Sequence, residues 1–319
     1  MSVHPRNGEP GVTKAAGAAG DSEAPQAPFR SGFVALLGRP NVGKSTLVNS
    51  FVGSKVSITS DHPQTTRRRI SGVVTIPGAQ LVLLDLPGFQ KPFDSLTRRM
   101  QKTVDDTLAE VDAVVVMLNA AEPFGPGDRF ITRAVAAAAL PAVFVLNKLD
   151  AVDRQVQRAQ LAAASDLAGG AEVLPVSALK STGLGPVLAR LEAAMPEGPL
   201  YFPDGQSSDQ PLEVLIGELI REQALRATRE EVPHAIAVEV ESIEERPGGS
   251  LVEIDAHLVV EHDSQKVILV GKGGAMIKRI GTAARHEIEA VLGAKVYLGL
   301  RVKVRRHWRR DDAYIERSI

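Results

Sequence analysis

From Gly32 onward, short apolar runs alternate with stretches of helical period. The runs Phe33–Leu37, Val73–Ile76, Leu81–Leu84, Ala113–Leu118, Ala142–Leu146 and Val173–Val176 read as strands. Gly43–Val52, Leu96–Ala109, Asp128–Ala138, Arg154–Leu167 and Leu184–Ala193 read as helices. Near-continuous apolar strands alternating with helices predict an α/β domain with a mostly parallel sheet covered on both faces. Pro77-Gly78-Ala79 breaks the run from Val73 to Leu84 as a hairpin would, which adds one antiparallel edge strand.

The rhythm stops at Met195-Pro196-Glu197-Gly198-Pro199, and further prolines, glycines and polar residues follow through Pro211. This composition predicts a linker over 197–212 after a first domain over 31–196. Beyond it the order is helix (Glu213–Thr228), strand (Ala235–Glu241), strand (Leu251–Val260), helix (Ala275–Leu292) and strand (Val296–Val304). That is a compact α+β unit over 213–310, with 311–319 left as a C-terminal tail. Residues 1–30 are rich in Gly, Ala, Pro and Ser and poor in large apolar side chains. Such a segment buries too little surface to offset the entropy of ordering, so a disordered tail is expected there.

Composition narrows the chemistry. A chain of 319 residues has room for one sizeable core and a second, smaller one. It has no cysteine, which excludes disulfides, thiolate zinc sites and a cysteine nucleophile. The formal net charge is −1, so any nucleic-acid site must come from local clustering. No apolar run approaches a membrane span, and the N-terminus lacks the apolar core of a secretory signal. A cytoplasmic location is the expectation.

Gly38-Arg39-Pro40-Asn41-Val42-Gly43-Lys44-Ser45, followed by Thr46, lies between the first strand and the first helix. It fits the G-x-x-x-x-G-K-[ST] phosphate loop. Glycines let the backbone curl so that successive N–H groups face phosphate oxygens, and the helix N-terminus adds positive potential. Lys44 would bring its charge to the β- and γ-phosphates, and Ser45 its hydroxyl to Mg²⁺.

The third strand delivers Asp85-Leu86-Pro87-Gly88-Phe89. A carboxylate at that edge suits a Mg²⁺ site, and Gly88 can offer its N–H to the γ-phosphate. In Gln64-Thr65-Thr66-Arg67-Arg68-Arg69, Thr66 is the candidate for a second metal-directed oxygen, with Thr65 the adjacent alternative. Asn147-Lys148-Leu149-Asp150 follows the fifth strand. The Asp150 carboxylate can accept the paired N–H donors of guanine, which adenine does not present. Asn147 can bond the base edge and brace the loop, and the Lys148 stem can cover the ring. Ser177-Ala178-Leu179-Lys180, after the last strand, can place a backbone N–H at the guanine oxygen. Four such strings in order, each at a strand end, point to GTP and GDP bound where the sheet's C-terminal edges converge.

In the Ras-like scheme a Gln after the glycine orients the attacking water. Phe89 stands there and cannot, so slow unaided hydrolysis is expected. Help could come from K⁺ held near Asn41, from the switch segment, or from a bound partner.

In the second unit, an apolar run enters Gly271-Lys272-Gly273-Gly274 and a helix follows, carrying Lys278, Arg279 and Arg285. A G-x-x-G loop at a helix start is the backbone clamp of KH domains. A second phosphate loop is excluded because no G-K-[ST] triplet follows. Lys295, Arg301, Lys303, Arg305, Arg306, Arg309 and Arg310 form a basic run containing Trp308, with Arg301, Lys303 and Arg305 on one strand face. RNA is the expected ligand. The helix-strand-strand-helix-strand order fits the type II KH arrangement.

These strings, with Pro196-Glu197-Gly198-Pro199 and the phrase from Gly271 to Gly281, resemble the Era family of bacterial GTPases over residues 31 to about 310. Leu86 stands where members of that family often carry Thr. The resemblance implies GTP hydrolysis coupled to binding of the 16S rRNA 3′ end during assembly of the small (30S) ribosomal subunit. It also implies a cytoplasmic, monomeric protein with peripheral association at the inner face of the cell membrane. GTP would favour the RNA-bound arrangement, and RNA would stimulate hydrolysis. The alternative is an RNA-binding assembly factor in which GTP is a structural ligand with negligible turnover.

Overall fold

The structure is a computed structural model and describes residues 28–60, 62, 65–88, 94–229, 232–246 and 251–318. Phe89 and Gln64 lie outside the described residues, as does most of the expected N-terminal tail.

The first half contains β1 (Arg30–Gly38), α1 (Lys44–Val52), β2 (Ile70–Ile76), β3 (Ala79–Asp85), α2 (Ser95–Leu108) and β4 (Ala113–Asn119). It continues with α3 (Pro126–Ala138), β5 (Ala142–Asn147), α4 (Arg154–Leu167), β6 (Val173–Pro175) and α5 (Leu184–Ala194). The sheet order is β2-β3-β1-β4-β5-β6. Only β2 runs antiparallel, as the hairpin at Pro77-Gly78 requires. Central strands β1, β3 and β4 are buried along nearly their whole length, consistent with helices on both faces. One core lies on each side of the sheet. Leu36, Leu47, Leu83 and Met117 belong to one, and Leu37, Leu84, Val116 and Leu146 to the other.

The second half contains α6 (Leu212–Ala227), β7 (Ala237–Glu245), β8 (Leu251–Val260), α7 (Asp263–Val270), α8 (Ala275–Leu292), β9 (Lys295–Val304) and α9 (Asp312–Ser318). Its sheet order is β7-β8-β9, with β7 antiparallel and β9 parallel to β8. Ile220, Leu258, Ile280 and Ile288 form the core beneath α6 and α8.

Two expectations need correction. The segment 197–212 is not a free spacer. It runs bonded along the first half: Glu197 bridges Arg30, Gly198 N donates to Phe29 O, and Val73 N donates to Ser207 O. The Gln80 carbonyl accepts from Tyr201 N at 2.9 Å and Phe202 N at 3.0 Å, which satisfies a buried amide and two extended backbone donors together. The residues after 310 are not a bare tail either. They form α9, and its Tyr314 and Ile315 join Trp308, Ala237, Val259 and the α2 residues Leu96 and Met100 in one buried cluster.

Candidate nucleotide and RNA sites

β1, β3, β5 and β6 all end at the same edge of the sheet, and the loops beyond them enclose a cavity of about 450 Å³. Pro40, Asn41, Gly43, Lys44, Ser45, Thr46, Thr66 and Gly88 line one part of it, and Asn147, Lys148, Asp150, Ala178 and Leu179 another. Gly43 has φ of +102°, and a Cβ there would stand 2.4 Å from the Asn147 amide nitrogen. Glycine is thus required both by the backbone and by the packing of the base-side loop.

Several expected residues act from behind the cavity wall. The Val42 side chain is buried in the core beside α1. Gly38 abuts Val42 and the Met117 carbonyl, which leaves no room for a Cβ. Arg39 turns away: its Nε donates to Asp128 at 3.0 Å and its Nη2 to Glu122 at 3.0 Å, tying the loop to the start of α3. Leu86 is fully buried, so a Thr at that position would add a hydroxyl inside a core. Pro87 carries the chain to Gly88, whose Cα packs on Pro40 so closely that any Cβ would lie 3.0 Å from three Pro40 atoms.

Asn147 is a brace across three loops. Its Nδ2 donates to Val42 O at 2.9 Å, and its Oδ1 accepts from Ala178 N at 2.9 Å. Asp150 stays at the cavity and accepts from Ser177 Oγ at 2.5 Å. That bond fixes the carboxylate's direction while leaving acceptor capacity for two donors.

Lys44 is buried, and burial pulls its ammonium below the ordinary value while the nearby Asp85 charge pulls it up. Its hydrogen bonds to Gly38 O and Arg39 O are both 3.4 Å long. Bonds that long are weak and readily exchanged for phosphate oxygens.

Asp85 gathers the hydroxyls. Its Oδ2 accepts from Ser45 Oγ at 2.6 Å, Ser57 Oγ at 2.6 Å and Thr66 Oγ1 at 3.3 Å, and Ser45 Oγ lies 3.0 Å from Thr66 Oγ1. Thr65 points elsewhere, to Ser60 Oγ and His62 O. Among the described residues, the buried Oδ1 of Asp85 has no hydrogen-bond partner. Burial drives the Asp85 carboxyl above the usual carboxylate range, against Lys44 and the three hydroxyls. A hard divalent cation would oppose that effect. One carboxylate and two hydroxyls suit Mg²⁺, which completes its shell from phosphate and water.

Residues 57–60 and Arg226 were not legible as site residues. Ile58, Thr59 and Ser60 line the cavity, and so does Arg226, which comes from α6 of the other half. Only the sequence distance between them hides the relation.

The Gly271–Gly274 loop joins α7 to α8. Gly271, Gly273 and Gly274 have φ of +71°, +59° and +80°. A Cβ at Gly271 would collide with Met276, whereas at Gly273 and Gly274 nothing lies within 4 Å. Backbone can therefore approach the outer two glycines. Lys272, Lys278 and Arg279 are exposed beside the loop.

Arg301 and Lys303 are not brought to that loop. Leu300, Val302 and Val304 face the helices, so the residues between them face the opposite side of the sheet. There Arg301 lies 3.9 Å from Asp255, and Lys303 lies 3.2 Å from Glu239. Nor is the rest of the basic run a bare cationic strip. Arg305 pairs with Asp311 and Arg309 with Asp94, both at 2.6 Å, while Trp308 is buried and donates to Ala235 O.

The 50S ribosome-binding GTPase family model matches residues 33–148, and the KH domain model matches residues 231–309. GTPase Era of Mycobacterium avium (strain 104) is 48% identical over 293 residues, covering 91% of this chain and 98% of that protein. GTPase Era of Mycobacterium tuberculosis (strain H37Rv) is 47% identical over 294 residues, with the same coverage. Two solved structures match at 36% identity over 91% of this chain. One is an Aquifex aeolicus Era variant bound to GDP and AlF₄⁻, with a TM-score of 0.86 over 99% of that chain. The other is Era with MgGDPNP and nucleotides 1506–1542 of 16S ribosomal RNA, with a TM-score of 0.87 over 98% of that chain. A P-loop GTPase half followed by a KH half, matched along nearly the full length of these relatives, means that this chain belongs to the Era family of GTPases.

Proposed function

We propose that this GTPase binds the 3′ end of 16S rRNA through its KH half and assists assembly of the small (30S) ribosomal subunit, with the guanine nucleotide setting its grip on RNA. The observation that carries this reading is a shared wall. Helix α6 contributes Arg226 to the nucleotide cavity and packs on α8, the helix that the Gly271–Gly274 loop opens. A relative matched over 98% of its own chain is known with MgGDPNP and nucleotides 1506–1542 of 16S ribosomal RNA together.

In this reading the loop from Gly38 to Thr46 and Gly88 hold the phosphates, and Asp150 with the Ser177–Leu179 loop reads guanine. Lys44 stabilises charge on the β- and γ-phosphate oxygens as water attacks the γ-phosphorus and the bond to the GDP oxygen breaks. Ser45, Thr66 and Asp85 would hold Mg²⁺, which would supply positive charge against the phosphates. Lys272, Lys278, Arg279 and the outer glycines clamp the RNA backbone. The proposal extends to a cytoplasmic, monomeric working form with peripheral contact at the inner membrane face. Among the described residues no helix is long and apolar enough to cross a membrane.

The test is fluorescence anisotropy with a labelled 16S rRNA 3′ fragment, comparing protein loaded with GDPNP and with GDP. Tighter binding with GDPNP is expected. Equal binding to a scrambled RNA of the same length would refute the reading.

K⁺ assistance is part of the proposal. Asn41 has φ of +62° and lines the cavity beside Gly88, where a monovalent cation could replace the water-orienting group that Phe89 cannot supply. Hydrolysis is expected to run faster in KCl than in NaCl. Equal rates would remove K⁺ from the mechanism.

A further inference from the structure

The strand of chain that carries Thr66 is gripped from both sides by the KH half. Before it, Arg221 of α6 donates from Nη2 to Thr65 O. After it, Arg67 donates to Ile236 O at 2.6 Å and to His234 O at 3.1 Å, and its guanidinium lies 5.4 Å over the Trp308 ring. Thr66 sits between these anchors, buried, with its hydroxyl toward Ser45 and Asp85.

We infer that Arg221 is a positioning residue for the GTPase reaction: through the Thr65 carbonyl it sets Thr66 for Mg²⁺, so the metal site is complete only when α6 is docked. This rests on the reading above that Thr66 reaches Mg²⁺.

Three features single out Arg221. It is an arginine whose side chain is only 2% exposed, on a helix where it is buried together with Glu222 and Gln223. A buried cation must be paired to be tolerated, and Glu218 pairs with it at 2.6 Å. Its Nε and Nη2 both donate to Glu218, and Nη2 also donates to the Thr65 carbonyl, a charge-assisted bond to the peptide that joins Thr65 to the residue with the metal-directed hydroxyl. A docking contact alone would not need to end on that peptide.

The general docking of this segment is handled by other groups. Ile58 is buried in the core of the KH half. Glu222 of α6 is fully buried, takes Lys55 at 2.6 Å, and accepts from Thr59 N at 2.9 Å. Lys55 therefore supplies a control that loosens the same interface without touching Thr65 or Thr66.

The experiment titrates full-length protein with fluorescent GDPNP and GDP across Mg²⁺ concentrations, with thermal melting alongside. Arg221→Gln is expected to weaken GDPNP·Mg²⁺ roughly tenfold, the scale of a lost charge-assisted bond, and to raise the Mg²⁺ needed for half-saturation. GDP affinity should stay at the wild-type value, and Arg221→Lys should recover part of the loss. Lys55→Ala should leave the GDPNP-to-GDP ratio unchanged. Should Arg221→Gln fail to fold, Arg221→Lys carries the test with the same selective, smaller loss. Equal loss for GDPNP and GDP, no loss, or the same loss in Lys55→Ala overturns the inference. Thr66→Ala separates the two levels. If it loses GDPNP preference and the Arg221 variants do not, only the positioning role falls; if it has no effect, the Thr66 reading falls and takes the inference with it.

Discussion

Gly273→Asp is expected to abolish binding of the 16S rRNA 3′ fragment while leaving GTP affinity and the melting temperature nearly unchanged. The reasons are local. Gly273 has φ of +59°, where a residue with a Cβ is strained by about 1–2 kcal/mol, less for Asp because it tolerates the left-handed region. Nothing lies within 4 Å of the position a Cβ would take, so folding is not obstructed. That empty space is where an RNA backbone would approach. A carboxylate there fills it and faces phosphate with like charge, which costs several kcal/mol, on the order of a hundredfold or more in Kd. Gel shift or anisotropy measures the first effect and nucleotide titration the second. Retained RNA affinity would show that the clamp lies elsewhere on the KH half.

Lys44→Ala is expected to reduce kcat for GTP by roughly 10²–10³-fold, the scale of removing one charge-stabilising donor from a transition state. The ammonium is buried at the cavity wall, and its present bonds to Gly38 O and Arg39 O are long. Losing it removes little from the folded loop and much from the reacting phosphate. Single-turnover rates with the circular dichroism spectrum unchanged would establish this. Near wild-type turnover would mean that the phosphate charge is met by other groups.

Much of the nucleotide site could be read from the chain because each of its strings sits where a buried strand ends. Asp85, Asn147 and Ser177 follow apolar runs, and parallel pairing carries all those ends to one edge. Nothing in the chain itself separates Thr65 from Thr66, since a loop has no period to orient a side chain. The RNA side was less legible. A run of cations in sequence does not show its partners, and here they are remote: Asp94 for Arg309, Glu239 for Lys303. Trp308 lies within the basic run, and the structure makes it a core residue packed with side chains of α2 and α9. Val267-Ile268-Leu269-Val270 carries no polar position to mark helical period, so α7 was visible only as an apolar run.

The link between the halves was the least legible feature. Arg221, Glu222 and Gln223 read as an ordinary charged stretch of a helix, yet all three are buried because α6 is packed on both sides. The same contact explains why residues 55–60 have no secondary structure of their own. Asn49 Oδ1 holds Val56 N and Ser57 N from one side, and Glu222 holds Lys55 and Thr59 from the other.

The central claim is that one chain couples guanine-nucleotide turnover to RNA. The most direct measurement is GTP hydrolysis by wild-type protein with and without a 16S rRNA 3′-terminal fragment, with Lys44→Ala run in parallel. RNA is expected to accelerate the wild type and to leave the variant at background. No stimulation of the wild type, together with indistinguishable rates for wild type and Lys44→Ala, would contradict the account.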